Sequence, residues 1–72
     1  MGTLKSRREK AEWLWNKIEE LFAKGADFIV LDALLAEFSY KFYSSERTGM
    51  IILKMFANLG KIKIRGNEIL KK

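Results

Sequence analysis

The sequence predicts a small, mainly α-helical domain ending in a two-stranded β-hairpin, an α+β fold. Three observations lead there. Three stretches carry apolar residues at helical spacing, each opened by a capping residue or closed by a glycine. After Gly60 the period changes: Ile62 and Ile64 alternate with Lys61, Lys63 and Arg65, as in a strand with one buried and one wet side. Gly66-Asn67 then offers a two-residue turn into a return strand over residues 68–72, pairing Arg65 with Glu68 and Ile64 with Ile69.

The first helix is expected from about Arg7 to Lys24, after a flexible tail over residues 1–5. Ser6-Arg7-Arg8-Glu9 has the capping-box spacing, and Gly25 supplies the stop. Ala11, Leu14, Ile18, Leu21 and Phe22 form its apolar stripe, with Trp15 on one flank. Trp13 falls away from that stripe, beside Lys17 and Glu20. An indole there is either stacked over lysine stems or covered by another chain, so Trp13 and Lys17 mark a candidate interface, including one between two copies in a homodimer.

Phe28-Ile29-Val30 is too short for a helix and suits one short strand. Asp32 is a good N-cap for a second helix, from Ala33 to about Tyr43, with Leu31, Leu34, Leu35, Phe38 and Phe42 on one side. Tyr40 and Tyr43 are expected at the edge of that core, where a tyrosine hydroxyl can also reach a phosphate. The third helix follows at once, capped by Ser45 and beginning at about Glu46. Thr48, Ile52, Met55, Phe56 and Leu59 are expected to share its inward face, with Gly49 and Leu53 at the margin. A glycine inside a helix costs roughly 1 kcal/mol relative to alanine, so Gly49 suggests the close approach of a neighbouring element.

At 72 residues the chain is one small domain. No apolar run approaches the roughly 20 residues of a spanning helix, so no membrane contact is expected. A basic start leading straight into a helix with Glu12, Glu19 and Glu20 does not read as a secretory signal, which points to a cytoplasmic protein. Cysteine and histidine are absent. That removes disulfides, the commonest metal ligands and the usual general base. Glu19 and Glu20 are adjacent and diverge on a helix, so they make no carboxylate pair. Neither an enzyme, a cofactor nor a metal is expected.

The formal charge of +5 is unevenly spread. Residues 1–43 carry seven basic and seven acidic side chains. Residues 44–72 carry seven basic against two acidic, which holds the whole excess. A one-ended basic field favours a polyanionic partner, although a solvated basic surface that merely aids solubility has the same composition.

The order helix, short strand, helix, tight turn, helix, basic hairpin resembles the winged helix-turn-helix DNA-binding domain over most of the chain. The likeness is sharpest in Ser45-Glu46-Arg47-Thr48, Leu53-Lys54-Met55-Phe56 and Leu59-Gly60-Lys61-Ile62, which look like that family's recognition helix and first wing strand. The resemblance implies a third helix in the major groove of double-stranded DNA and a wing along the backbone or minor groove. It puts Arg47, Met50, Ile51, Lys54 and Asn58 on the outward face of that helix. Arg47 would read guanine or clamp phosphate, Asn58 reach a base or the backbone, and Lys54 hold phosphate. Lys61, Lys63 and Arg65 would add backbone contacts, with Arg65 at the hairpin tip suited to the minor groove. Ser44 and Ser45, with the N–H groups opening the helix, would take a further phosphate. The implied function is a small DNA-binding transcriptional regulator, working as a homodimer. Met50 and Ile51 are apolar on that face. They can pack on thymine methyls, or they can make the domain a protein-interaction module within a larger assembly.

Overall fold

A computed structural model describes residues 3–72, with side chains from Arg7 onward. The chain runs α1 (Thr3–Ala23), β1 (Phe28–Val30), α2 (Leu31–Phe42), α3 (Glu46–Asn58), β2 (Ile62–Arg65) and β3 (Glu68–Lys71). The strands form one antiparallel sheet in the order β1-β3-β2. The hairpin has the expected register, Arg65 opposite Glu68 and Ile64 opposite Ile69. Gly66 alone in its turn takes a positive φ, 58°, which suits glycine at the first central position of a two-residue turn. On the other side of β3, Ile29 pairs with Ile69 and Val30 with Glu68, so the short strand between the first two helices completes the sheet.

Alternation then sorts the sheet into two faces. Ile29, Ile62 and Ile69 are buried, and they meet Leu14 and Ile18 of α1, Leu31, Leu34, Leu35 and Phe38 of α2, and Ile52, Leu53 and Phe56 of α3 in one core. Each such side chain, fully removed from water, stabilises the fold by about 1.5–3 kcal/mol before its ordering entropy is subtracted. No buried side-chain nitrogen or oxygen lacks a partner among the described residues.

Four local expectations are corrected. α1 begins at Thr3, so Ser6 lies inside the helix and cannot be its N-cap. Of the tail expected over residues 1–5, residues 1–2 fall outside the described residues and 3–5 belong to α1. α2 begins at Leu31, with Val30 in the cap position and Asp32 already in the first turn. Its opening N–H groups are met from the far end of the chain: Leu31 N–H donates to the Asn67 carbonyl (2.9 Å), and Asp32 N–H to Asn67 Oδ1 (3.1 Å). β1 therefore passes into α2 with no linker, because the hairpin turn supplies the cap that a local side chain would otherwise provide.

The third correction concerns α3. Its cap is as expected, with Thr48 N–H donating to Ser45 Oγ at 3.3 Å. It ends through Gly60 (φ 78°), with Lys61 N–H closing on the Phe56 carbonyl (3.0 Å). Its buried side, however, is centred on Gly49, Ile52, Leu53 and Phe56, while Met55 and Leu59 are exposed. Gly49 sets this rotation. A Cβ there would lie 2.8 Å from Leu35 Cδ2 and 2.9 Å from Phe38 Cδ2, so α2 packs directly on the glycine backbone. Fourth, Tyr40 and Tyr43 do not line the core edge. Both are exposed, and Tyr43 ends α2 in the left-handed conformation (φ 53°).

Candidate nucleic-acid interface

The turn between α2 and α3 fixes where α3 starts. Tyr43 reverses the chain, the Ser39 hydroxyl donates to the Ser44 carbonyl, and Ser45 caps the next helix. Ser44 is half-buried and bound through its carbonyl, whereas Ser45 is exposed with its Oγ engaged by Thr48. The exposed start of α3 thus presents backbone N–H groups beside Glu46, whose charge already complements the helix dipole.

Along α3, Arg47, Ile51, Lys54 and Asn58 are exposed at spacings of four, three and four residues, which aligns them on one outward face. Met50 differs from expectation. It is only partly exposed and packs against the core. With α2 packed on Gly49, the buried arc lies nearer Met50, and Met55 and Leu59 fall outside it. Ile51 (62% exposed), Met55 (46%) and Leu59 (64%) recur every four residues and form an apolar ridge beside the basic and polar positions. The helical pattern could have shown this ridge, because 51, 55 and 59 share one line. The expected inward face, which includes Met55 and Leu59, hides that line.

On the hairpin, Lys61, Lys63 and Arg65 are exposed while Ile62 points into the core. Lys61 Nζ lies 4.9 Å from the centre of the Trp15 ring. Arg65 is paired with Glu68 across the turn at 3.3 Å. The turn is also tied to α2 through Asn67, so Arg65 sits on a short, braced tip and part of its charge is already answered.

Trp13 and Lys17 are both engaged within the chain. Trp13 packs edge-on against Phe42 (5.8 Å between ring centres) and tilted on Phe38 (6.3 Å). Lys17 bridges from α1 to Glu37 of α2 at 3.2 Å, with its Nζ 6.0 Å from the Trp13 ring. Their contacts hold α1 on α2 in one molecule, the indole meeting the Phe38 and Phe42 rings as well as the Lys17 ammonium. Elsewhere on α1, hydrogen bonding and charge from Lys24, helped by Lys17, hold the Glu20 carboxyl below the usual carboxylate range.

Among the described residues, no three His, Cys, Asp or Glu side chains gather in a way that could hold a metal ion. No helix there is long and apolar enough to cross a membrane. No family model, curated protein or solved structure matches the chain.

Proposed function

We propose that the chain is a small DNA-binding protein of winged helix-turn-helix architecture, acting inside the cell as a transcriptional regulator. On this reading α3 enters the major groove and the hairpin rests on the phosphate backbone. One observation carries it: the residues holding the entire charge excess, 44–72, build α3 and the hairpin, and Arg47, Lys54, Lys61, Lys63 and Arg65 are all exposed there. The element order and the β1-β3-β2 sheet support the architectural part. The braced tip favours backbone contact over deep minor-groove insertion by Arg65.

The test is fluorescence anisotropy with a labelled random-sequence duplex. If four to five of these cations neutralise phosphates, the slope of log affinity against log salt is about −3.6 to −4.5. Raising salt from about 50 to 200 mM then weakens binding roughly 150- to 500-fold. Arg47→Glu or Lys54→Glu abolishes binding. Unchanged affinity in both variants, or binding indifferent to salt, refutes the docking.

The ridge of Ile51, Met55 and Leu59 favours a second reading: a protein-interaction module that buries this ridge in a larger assembly. Under it, Ile51→Glu breaks the complex while Lys63→Glu and Arg65→Glu leave it intact. The reverse pattern removes this reading.

A further inference from the structure

A concave site lies between the C-terminal half of α1 and the hairpin, and of its lining residues only Lys61 also belongs to the proposed DNA contact. Its apolar surface comes from the half-buried Trp15 and Phe22, lying over the buried Ile18 and Ile62, around a cavity of about 290 Å³. Ile18 and Ile62 are buried core residues, and Trp15 is set edge-on against Phe56 at 5.5 Å between ring centres. The two isoleucines are thus part of the packed core, and the partly exposed Trp15 and Phe22 rings are the surface that a ligand would meet. The rim is basic in its side chains: Lys61, Lys71 and Lys72 line it, against one acidic side chain, Glu19. Among the described residues none of these three lysines has a carboxylate within salt-bridge distance. Lys61 instead leans over the indole face.

We infer that this cavity binds a small aromatic carboxylate, its ring against Trp15 and Phe22 and its anionic group among the lysine ammoniums. Two features select that class. An aromatic and aliphatic wall takes apolar area out of water and offers edge or face contacts to a ring. A rim with three basic side chains and one acidic one favours an anionic ligand, and long lysine stems let the ammoniums reach it while remaining hydrated. Lys61 provides the link between the two parts, because the ammonium that rests on Trp15 can pair with a carboxylate on a ring stacked beside it.

The probe is 1-naphthoate, compared with neutral 1-naphthalenemethanol of similar shape, titrated into the isotopically labelled full chain and followed by NMR. Trp15 and Trp13 give two indole N–H signals. Trp13 is packed against α2 and serves as an internal control. The expected result is a saturable shift of the Trp15 signal with naphthoate, little movement of Trp13, and weaker binding of the alcohol. Lys61→Gln and Lys71→Gln should each weaken naphthoate about two- to fivefold and leave the alcohol unchanged. Glu19→Gln should strengthen naphthoate by a similar factor. Ala23→Phe, at an exposed α1 position lining the cavity, should abolish both. No Trp15 shift at millimolar probe, equal binding of acid and alcohol, or a response at Trp13 instead each overturns the inference. None of these outcomes depends on DNA binding.

Discussion

Substituting Gly49 by alanine tests the packing that orients α3. In an exposed helix this change stabilises by roughly 1 kcal/mol, because alanine loses less backbone entropy on folding. Here the new Cβ would meet Leu35 Cδ2 at 2.8 Å, Phe38 Cδ2 at 2.9 Å and Phe38 Cε2 at 3.2 Å. Leu35 can move a terminal methyl. Phe38 has no exposed surface and contacts the Trp13 and Phe42 rings, so its edge cannot retreat without displacing them. Overpacking of this kind costs about 1–3 kcal/mol, which outweighs the propensity gain. The expected net effect is a loss of about 1 kcal/mol, or a fall in Tm of about 4–8 °C for a domain of this size. Urea and thermal denaturation followed by circular dichroism read it directly. Phe38→Leu makes room, so Gly49→Ala in that background should cost less than in the native chain, or stabilise it. A rise in Tm for Gly49→Ala alone would show that α2 and α3 do not meet as closely as described, and the orientation of Ile51, Met55 and Leu59 would lose its basis.

Asn67→Ala removes the side-chain cap on α2 and should cost about 0.5–2 kcal/mol in urea denaturation, while Asn67→Asp, which keeps the acceptor, stays within about 0.5 kcal/mol of the native chain. Tyr43→Gly should stabilise by about 1 kcal/mol, because Tyr43 is 93% exposed and occupies a left-handed conformation that glycine adopts without a Cβ penalty. A loss of stability in Tyr43→Gly would mean that the ring makes contacts which offset the backbone strain. Ser45→Ala should cost about 1 kcal/mol through the lost cap of α3, seen as faster amide exchange in its first turn.

Much of the fold was legible because it is written locally. The cap at Ser45, the stop at Gly60, the alternation of Ile62 and Ile64 and the Gly66-Asn67 turn each depend on residues within a few positions of one another. Gly49 was legible as well, since an interior helix glycine already signals a close neighbour. Of the candidate site, Arg47, Ile51, Lys54 and Asn58 fall on the exposed face that their spacing implied. Met50 does not, because it is drawn toward the core beside Gly49. On α1 alone, Trp13 and Lys17 read as a candidate interface, the indole either over lysine stems or under another chain; the seam with Phe42 and Glu37 exists only because α2 docks there.

Residue chemistry and periodicity therefore set the elements, their order and the concentration of positive charge in residues 44–72. Short-range geometry suffices for these, since a helix or a hairpin is bonded to itself. The rotation of α3 was settled by packing, because where α2 presses on Gly49 depends on how two helices cross. So was the cap of α2, whose donor and acceptor lie 35 residues apart. The cavity between α1 and the hairpin belongs with them: Trp15 and Lys61 are distant in sequence, and only the sheet's docking on the helices sets one over the other.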